Sequence, residues 1–124
     1  AMYKPFHLIG LELGISVANA ALRGESTGSP DDWRGDVVAT AKRPLKAGEI
    51  LDGEGGYTVW GKLMPANDSL KIGGLPIGLA HNVKLKRDIP EGRQIGWADV
   101  DIDETTEAYR IRREMEDHFT RANR

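Results

Sequence analysis

Apolar and polar positions run along this chain in two rhythms. Leu11, Ile15, Ala18 and Leu22 fall at spacings of four, three and four, one stripe of a short helix. Gly24 suits the position just past its end, with Arg23 in the last turn facing the helix dipole. Before it, Tyr3 to Gly10 reads as extended, because Pro5 holds its neighbours away from helix. The runs Val37–Ala41 and Val83–Leu85 read as strands, and Tyr57–Trp60 has strand composition among glycines. Met64 to Ser69 reads as a turn-rich connection. Leu70 to Ala80, broken by Gly73, Gly74, Pro76 and Gly78, reads as strand pieces and corners rather than a helix. Ile95 to Val100 closes the β unit.

The helical rhythm returns at the C-terminal end. Ala108, Ile111, Met115 and Phe119 form an apolar stripe over Glu104 to Thr120, with Asp103 as cap and Glu104 and Glu107 in the first turn. The stripe is the expected docking face. The remaining faces, with Arg110, Arg112, Arg113, Glu114, Glu116 and Asp117, are expected to face water.

A repeat organises the middle. Lys42-Arg43-Pro44-Leu45-Lys46-Ala47-Gly48-Glu49-Ile50-Leu51 returns as Lys86-Arg87-Asp88-Ile89-Pro90-Glu91-Gly92-Arg93-Gln94-Ile95. Lys-Arg, a branched apolar residue, a Gly and a final branched apolar residue keep their places. Each copy follows a strand, so each reads as strand, tight turn and return, with the Gly supplying positive φ. Two copies in one small domain predict a compact, pseudo-symmetric β unit.

Composition changes this picture little. Hydrophobic residues at 40% and charged residues at 29% are ordinary for a globular domain, and 124 residues suffice for a modest core. The net charge of −2 gives no strong pull toward nucleic acid or a membrane surface. The absence of cysteine excludes disulfides and zinc–thiolate sites and fits the cytoplasm. No leader peptide or span-length apolar run appears. Residues 25–36, small and polar, read as a linker in which Trp33 is the one anchor, docked on the following domain.

Candidate chemistry is thin. No catalytic constellation, dinucleotide fingerprint or phosphate loop is present, and His7, His81 and His118 lack metal-ligand spacing. Lys42, Arg43, Lys86 and Arg87 stand at equivalent repeat positions; a pseudo-twofold axis would make them an anion patch, and otherwise they are solvated strand ends. Tyr57 and Trp60 beside Lys62 either stack on a sugar or belong to core or interface.

The repeats resemble a SAF domain, the β-clip module shared by type III antifreeze proteins and the C-terminus of sialic acid synthase. Val37 to Leu51 looks like its opening and Val83 to Gly92 like its closing half. The flanks Tyr3–Glu12, Gly55–Leu63 and Leu75–His81 resemble the C-terminal part of homoserine dehydrogenase-like NAD(P)-dependent oxidoreductases, including enzymes similar to 1-deoxy-D-xylulose 5-phosphate reductoisomerase. The resemblance implies a mostly β fold, a β-clip with an N-terminal helical segment and a C-terminal amphipathic helix. Residues 1–24 would end a catalytic domain, 25–36 link it, 37–103 form the SAF domain and 104–124 the final helix.

What the resemblance implies about function follows the same division. Such enzymes carry Rossmann and catalytic domains that these residues do not contain. The chain then binds no cofactor itself, NAD or NADP belonging to the parent enzyme. It has no catalytic residue or metal. Tyr3, Lys4 and His7 line the parent's substrate site from its edge. Its partners are the remainder of the parent chain and further copies in a homo-oligomer. Alternatives are a free-standing module holding a sugar or anion at Tyr57, Trp60, Lys62 and the Lys-Arg pairs, and a periplasmic assembly chaperone. Ice binding fits poorly with such charged repeats.

Overall fold

The computed structural model describes Pro5, residues 8–29 and residues 31–122. Tyr3, Lys4 and His7, expected at a substrate site, lie outside the described residues. The chain forms two compact units, Ala1–Asp32 and Trp33–Arg124, so the division falls inside the segment read as a linker.

In the first unit, helix α1 (Ile9–Ala18) runs on into a π-helical turn, Asn19–Arg23. Gly24 ends it in the left-handed region at φ 65°, where a Cβ would be strained. The expected end thus stands, while the helix begins before Leu11, at Ile9. Its apolar residues do not collect on one face: Leu13, Ile15, Val17 and Leu22 are all exposed.

The second unit contains β1 (Gly35–Ala41), β2 (Ile50–Asp52), β3 (Val59–Pro65), α2 (Ala66–Ile72), β4 (His81–Leu85), β5 (Val100–Asp101) and α3 (Glu107–Ala122). Single 3₁₀ turns at Ile77–Leu79 and Trp97–Asp99 precede β4 and β5. β1 and β3 form an antiparallel ribbon with Val37 opposite Leu63 and Thr40 opposite Trp60. β2, β4 and β5 form a second antiparallel sheet with β4 central. The core between them is aliphatic: Ala39, Ala41, Leu45, Leu51, Val59, Leu75, Leu85, Ile89, Ile95 and Val100.

The repeat becomes a backbone symmetry. Leu45 and Ile89 pair with each other, the Leu45 N–H donating to the Ile89 carbonyl (2.8 Å) and the Ile89 N–H to the Leu45 carbonyl (2.9 Å). On either side the bonds match: Gly48 N–H to Leu85 O at 2.8 Å, and Gly92 N–H to Ala41 O at 2.9 Å. Both glycines have positive φ, 87° and 76°, as the repeated turn requires.

Three expectations are corrected. The fold is mixed rather than mostly β: the described residues hold three α-helices besides five short strands. One of those helices, α2, lies where a turn and strand pieces were expected. Pro65 stands before it, Asp68 is in its first turn and Gly73 closes it at φ 60°. At seven residues it shows no long stripe, and it buries only Ala66 and Ser69. Last, α3 starts three residues late and docks differently. The Asp103 carboxylate accepts the Thr105 N–H (2.9 Å) in a turn ahead of the helix, and Thr106 Oγ1 accepts the Tyr109 N–H (3.4 Å). Ile111 of the expected docking stripe is 58% exposed, while Glu116, expected in water, is buried.

Candidate functional site

The pairing of Leu45 with Ile89 is antiparallel, so Lys42-Arg43 and Lys86-Arg87 lie at opposite ends of it rather than in one anion patch. Their side chains turn to local partners. Arg43 bonds Glu49 (2.6 Å), and Lys42 Nζ donates to the Gly56 carbonyl. Arg87 bonds the Asp99 carboxylate (3.0 Å) and the Ala98 carbonyl (3.0 Å). Across the axis Lys46 meets Asp88 at 2.8 Å. These exposed pairs raise the pKa of Arg43 and Lys46 and lower those of Glu49 and Asp88, chiefly through the hydrogen bond in each pair.

Lys42 shares one end of the ribbon with the aromatic candidates. Its N–H donates to the Thr58 carbonyl (2.9 Å), beside Tyr57. Trp60 and Lys62 alternate with Gly61 and share one face of β3, since side chains two apart on a strand point the same way. Tyr57 is 86% and Trp60 44% exposed, so neither is a core residue. The loop that carries Tyr57 is built on Asp52. That carboxylate accepts the Thr58 hydroxyl and the N–H groups of Tyr57 (2.5 Å) and Thr58 (3.0 Å). The Thr58 hydroxyl bond, opposed by partial burial and aided by those N–H groups, holds its pKa down to about 2. A Cβ on Gly56 would fall 2.2 Å from the Asp52 carboxyl carbon, so only glycine leaves room for this bracket.

A strained point sits at the other sheet. β4 bulges opposite the Leu51–Asp52 step, and Asn82, the extra residue, takes φ 56°. Asparagine tolerates that region better than most side chains. The bulge borders a cleft of about 260 Å³ lined by Leu79, His81, Asn82, Asp101 and Thr106.

The most organised polar group joins β1, α2 and α3. The Arg112 guanidinium forks onto Asp36, Nη1 to Oδ1 at 3.0 Å and Nη2 to Oδ2 at 2.6 Å. Its Nε donates to Glu116 Oε1 at 2.8 Å, and its carbon lies 4.5 Å from the centre of the Trp33 ring. Arg113 bonds the other oxygen of Glu116 and stacks 5.3 Å from the Trp97 ring. Asp36 also accepts the Ser69 hydroxyl (2.5 Å) and the Val37 N–H (3.0 Å). Burial opposes the Asp36 charge, but the bonds from Arg112 and Ser69 and the nearby guanidinium outweigh it, and its pKa falls below the usual carboxylate range. The Arg112 side chain is only 11% exposed. Removing one member of such a buried pair costs about 3–5 kcal/mol, because the remaining charge stays uncompensated. Between α3, α2 and the Trp97 turn lies a polar cleft of about 230 Å³, lined by Ser69, Gly73, Trp97, Arg113, Glu116 and Thr120. The Trp97 indole N–H is buried there without a hydrogen-bond partner among the described residues.

Sequence reasoning missed this group. Arg112 and Glu116 are an i,i+4 pair visible in the sequence, but Asp36 is 76 positions from Arg112 and carries no local mark. Trp33 was expected to anchor on its following domain; it meets Arg112 there, and Phe119 at 6.1 Å.

The His81 ring meets the Asp52 backbone carbonyl (3.1 Å), His118 lies edge-on to Phe119, and among the described residues neither ring is hydrogen-bonded to a hydroxyl. Among the described residues no group of three or more His, Cys, Asp or Glu side chains is placed to hold a metal ion. Both sheets are antiparallel, so the described residues build no strand–helix–strand crevice that would fit a dinucleotide. No helix among them is long and apolar enough to cross a membrane. Compared with known proteins, the chain matches no family model, and no curated protein matches it.

Proposed function

We propose that this chain is the C-terminal, SAF-like part of an NAD(P)-dependent oxidoreductase of the homoserine dehydrogenase-like kind. Its role there is to support the catalytic domain, shape one side of the substrate site and build the oligomer, with no catalysis of its own. The observation that carries this reading is α1. A helix that is apolar over all but the stripe of Glu12, Ser16, Asn19 and Arg23, with Leu13, Ile15, Val17 and Leu22 exposed, belongs inside a larger body of protein. The remainder of a catalytic domain supplies such a body. The symmetric Leu45–Ile89 turn pair supports the β-clip part of the reading. The dinucleotide belongs to the parent's Rossmann domain, and Tyr3, Lys4 and His7 belong to the edge of its substrate site.

A second reading has one observation in its favour. Tyr57, Trp60 and Lys42 stand at one end of the β1–β3 ribbon with Lys62 further along the Trp60 face, as a sugar- or anion-binding module would place them. Titration calorimetry with NADH, NADPH and a panel of sugar phosphates separates the two. The supporting-domain reading expects no heat from any of them. One-to-one binding of a sugar phosphate, abolished by Trp60→Ala, would replace it with the binding module. In the parent enzyme, Lys4→Ala or His7→Ala with unchanged kcat/KM would remove those residues from the substrate site.

A further inference from the structure

Helix α3 is attached in an unusual way. Its apolar Ile111 faces outward and Ala108 only borders the cleft beside His81, and it meets the unit through long side chains, Tyr109, Arg112, Arg113, Glu116 and Phe119. Among the described residues its backbone comes close to the strands at few points. The site that Arg112 enters, by contrast, is assembled without α3. Asp36 lies on β1, with its carboxylate oriented by the Val37 N–H and by the Ser69 hydroxyl of α2. Trp33 precedes β1 and presents its ring face. A planar cation with paired donors matches this set: two parallel N–H···O bonds on one carboxylate and a flat aromatic wall. An ammonium group fits only as a point charge.

We propose that Trp33, Asp36 and Ser69 form a guanidinium-binding slot that the chain closes with its own Arg112, so that α3 is a removable strap and the slot receives an arginine side chain of a partner protein when the strap lifts. The lifted state also uncovers the Trp97 indole N–H, which then gains water or a partner carbonyl. The 103–106 connection, which follows the core-packed Ile102 and is built on the Asp103 turn, is the hinge. The slot is independent of the oxidoreductase reading, since it uses only residues of the second unit.

The test begins with the unaltered chain. Hydrogen exchange followed residue by residue should show α3 amides opening at least about tenfold faster than those of β4, as a separate cooperative unit. Methylguanidinium at sub-denaturing concentration should accelerate α3 exchange further, while methylammonium at equal ionic strength should not. Arg112→Ala should then bind methylguanidinium, read as saturating shifts of the Trp33 indole and the Val37 and Ser69 amides. Adding Asp36→Asn should abolish those shifts. If Arg112→Ala fails to fold, Arg112→Lys serves, with faster α3 exchange expected because the fork is lost. Equal protection of α3 and β4, or equal response to the two cations, would overturn the proposal.

Discussion

The two copies of the repeat share a backbone and differ in what their side chains do with it. In both, a Lys-Arg step leads through a buried branched residue to a glycine with positive φ, and the bonds around Leu45 and Ile89 mirror one another. The first copy leaves its arginine on a surface partner, Glu49, and runs on into strand β2. The second sends its arginine to Asp99, whose side chain is 7% exposed, and runs on into two isolated bridges, Gln94 with Thr40 and Gly96 with Gly74, and a 3₁₀ turn. The comparison teaches that backbone geometry is the repeated object, while charge pairing is adjusted to whatever each turn faces.

The strongest way to break the symmetry is at its axis. Leu45→Ala and Ile89→Ala each empty a buried site, and each should cost about 2–5 kcal/mol in urea unfolding. The two costs should be similar, and the double variant should depart from additivity because the residues are paired. Markedly unequal single costs would mean that the axis is not the energetic centre. Next comes the side-chain difference. Arg87→Ala leaves the Asp99 carboxylate buried with the Gly96 N–H (2.9 Å) and a distant Arg93 (4.0 Å), a loss of about 1–3 kcal/mol. Arg43→Ala removes an exposed pair and should leave stability nearly unchanged by the same measurement. Equal effects would show that burial of Asp99 is not what separates the copies.

Gly48→Ala and Gly92→Ala should each cost about 1–2 kcal/mol, since both turns need a left-handed residue. A Cβ meets only Lys84 Cε at 3.9 Å in the first and nothing within 4 Å in the second, so sterics do not distinguish them. The smallest effect is acid sensitivity of the loop after the first copy. Asp52 has its folded pKa lowered to about 2, against about 3.9 for an unfolded aspartate. Its contribution is therefore fully present above about pH 4 and is lost as pH falls toward about 2. Amide exchange at Tyr57 and Thr58 should accelerate over that window, and Asp52→Asn should flatten the dependence. The position 44 residues on is Gly96, with no carboxylate to titrate, so the second copy provides the internal control.

The legible parts of the fold were those whose physics is local. Gly48 and Gly92 mark turns that only positive φ closes, Gly24 marks a helix end, and short apolar runs mark strands. α2 was illegible because two buried residues in seven make no period, and because Pro65 and Gly73 signal loop as readily as helix boundary. Of the candidate site, Lys42, Tyr57, Trp60 and Lys62 were legible as residue types. That Lys42, Tyr57 and Trp60 share one ribbon end, with Lys62 at mid-strand and Lys86 and Arg87 elsewhere, required the register. The Asp36–Arg112 pair was not legible at all.

The sequence by itself determined the repeated turns, the two terminal helices and the aliphatic core, because backbone sterics and apolar burial act on residue type at short range. Only the tertiary structure decided which face of α3 docks. The apolar stripe of Ala108, Ile111, Met115 and Phe119 offered one answer, of which, among the described residues, Phe119 alone meets an aromatic partner, Trp33. Asp36, desolvated on β1 and held by Ser69, favoured another, because a buried carboxylate needs a paired cation more than an exposed isoleucine needs cover.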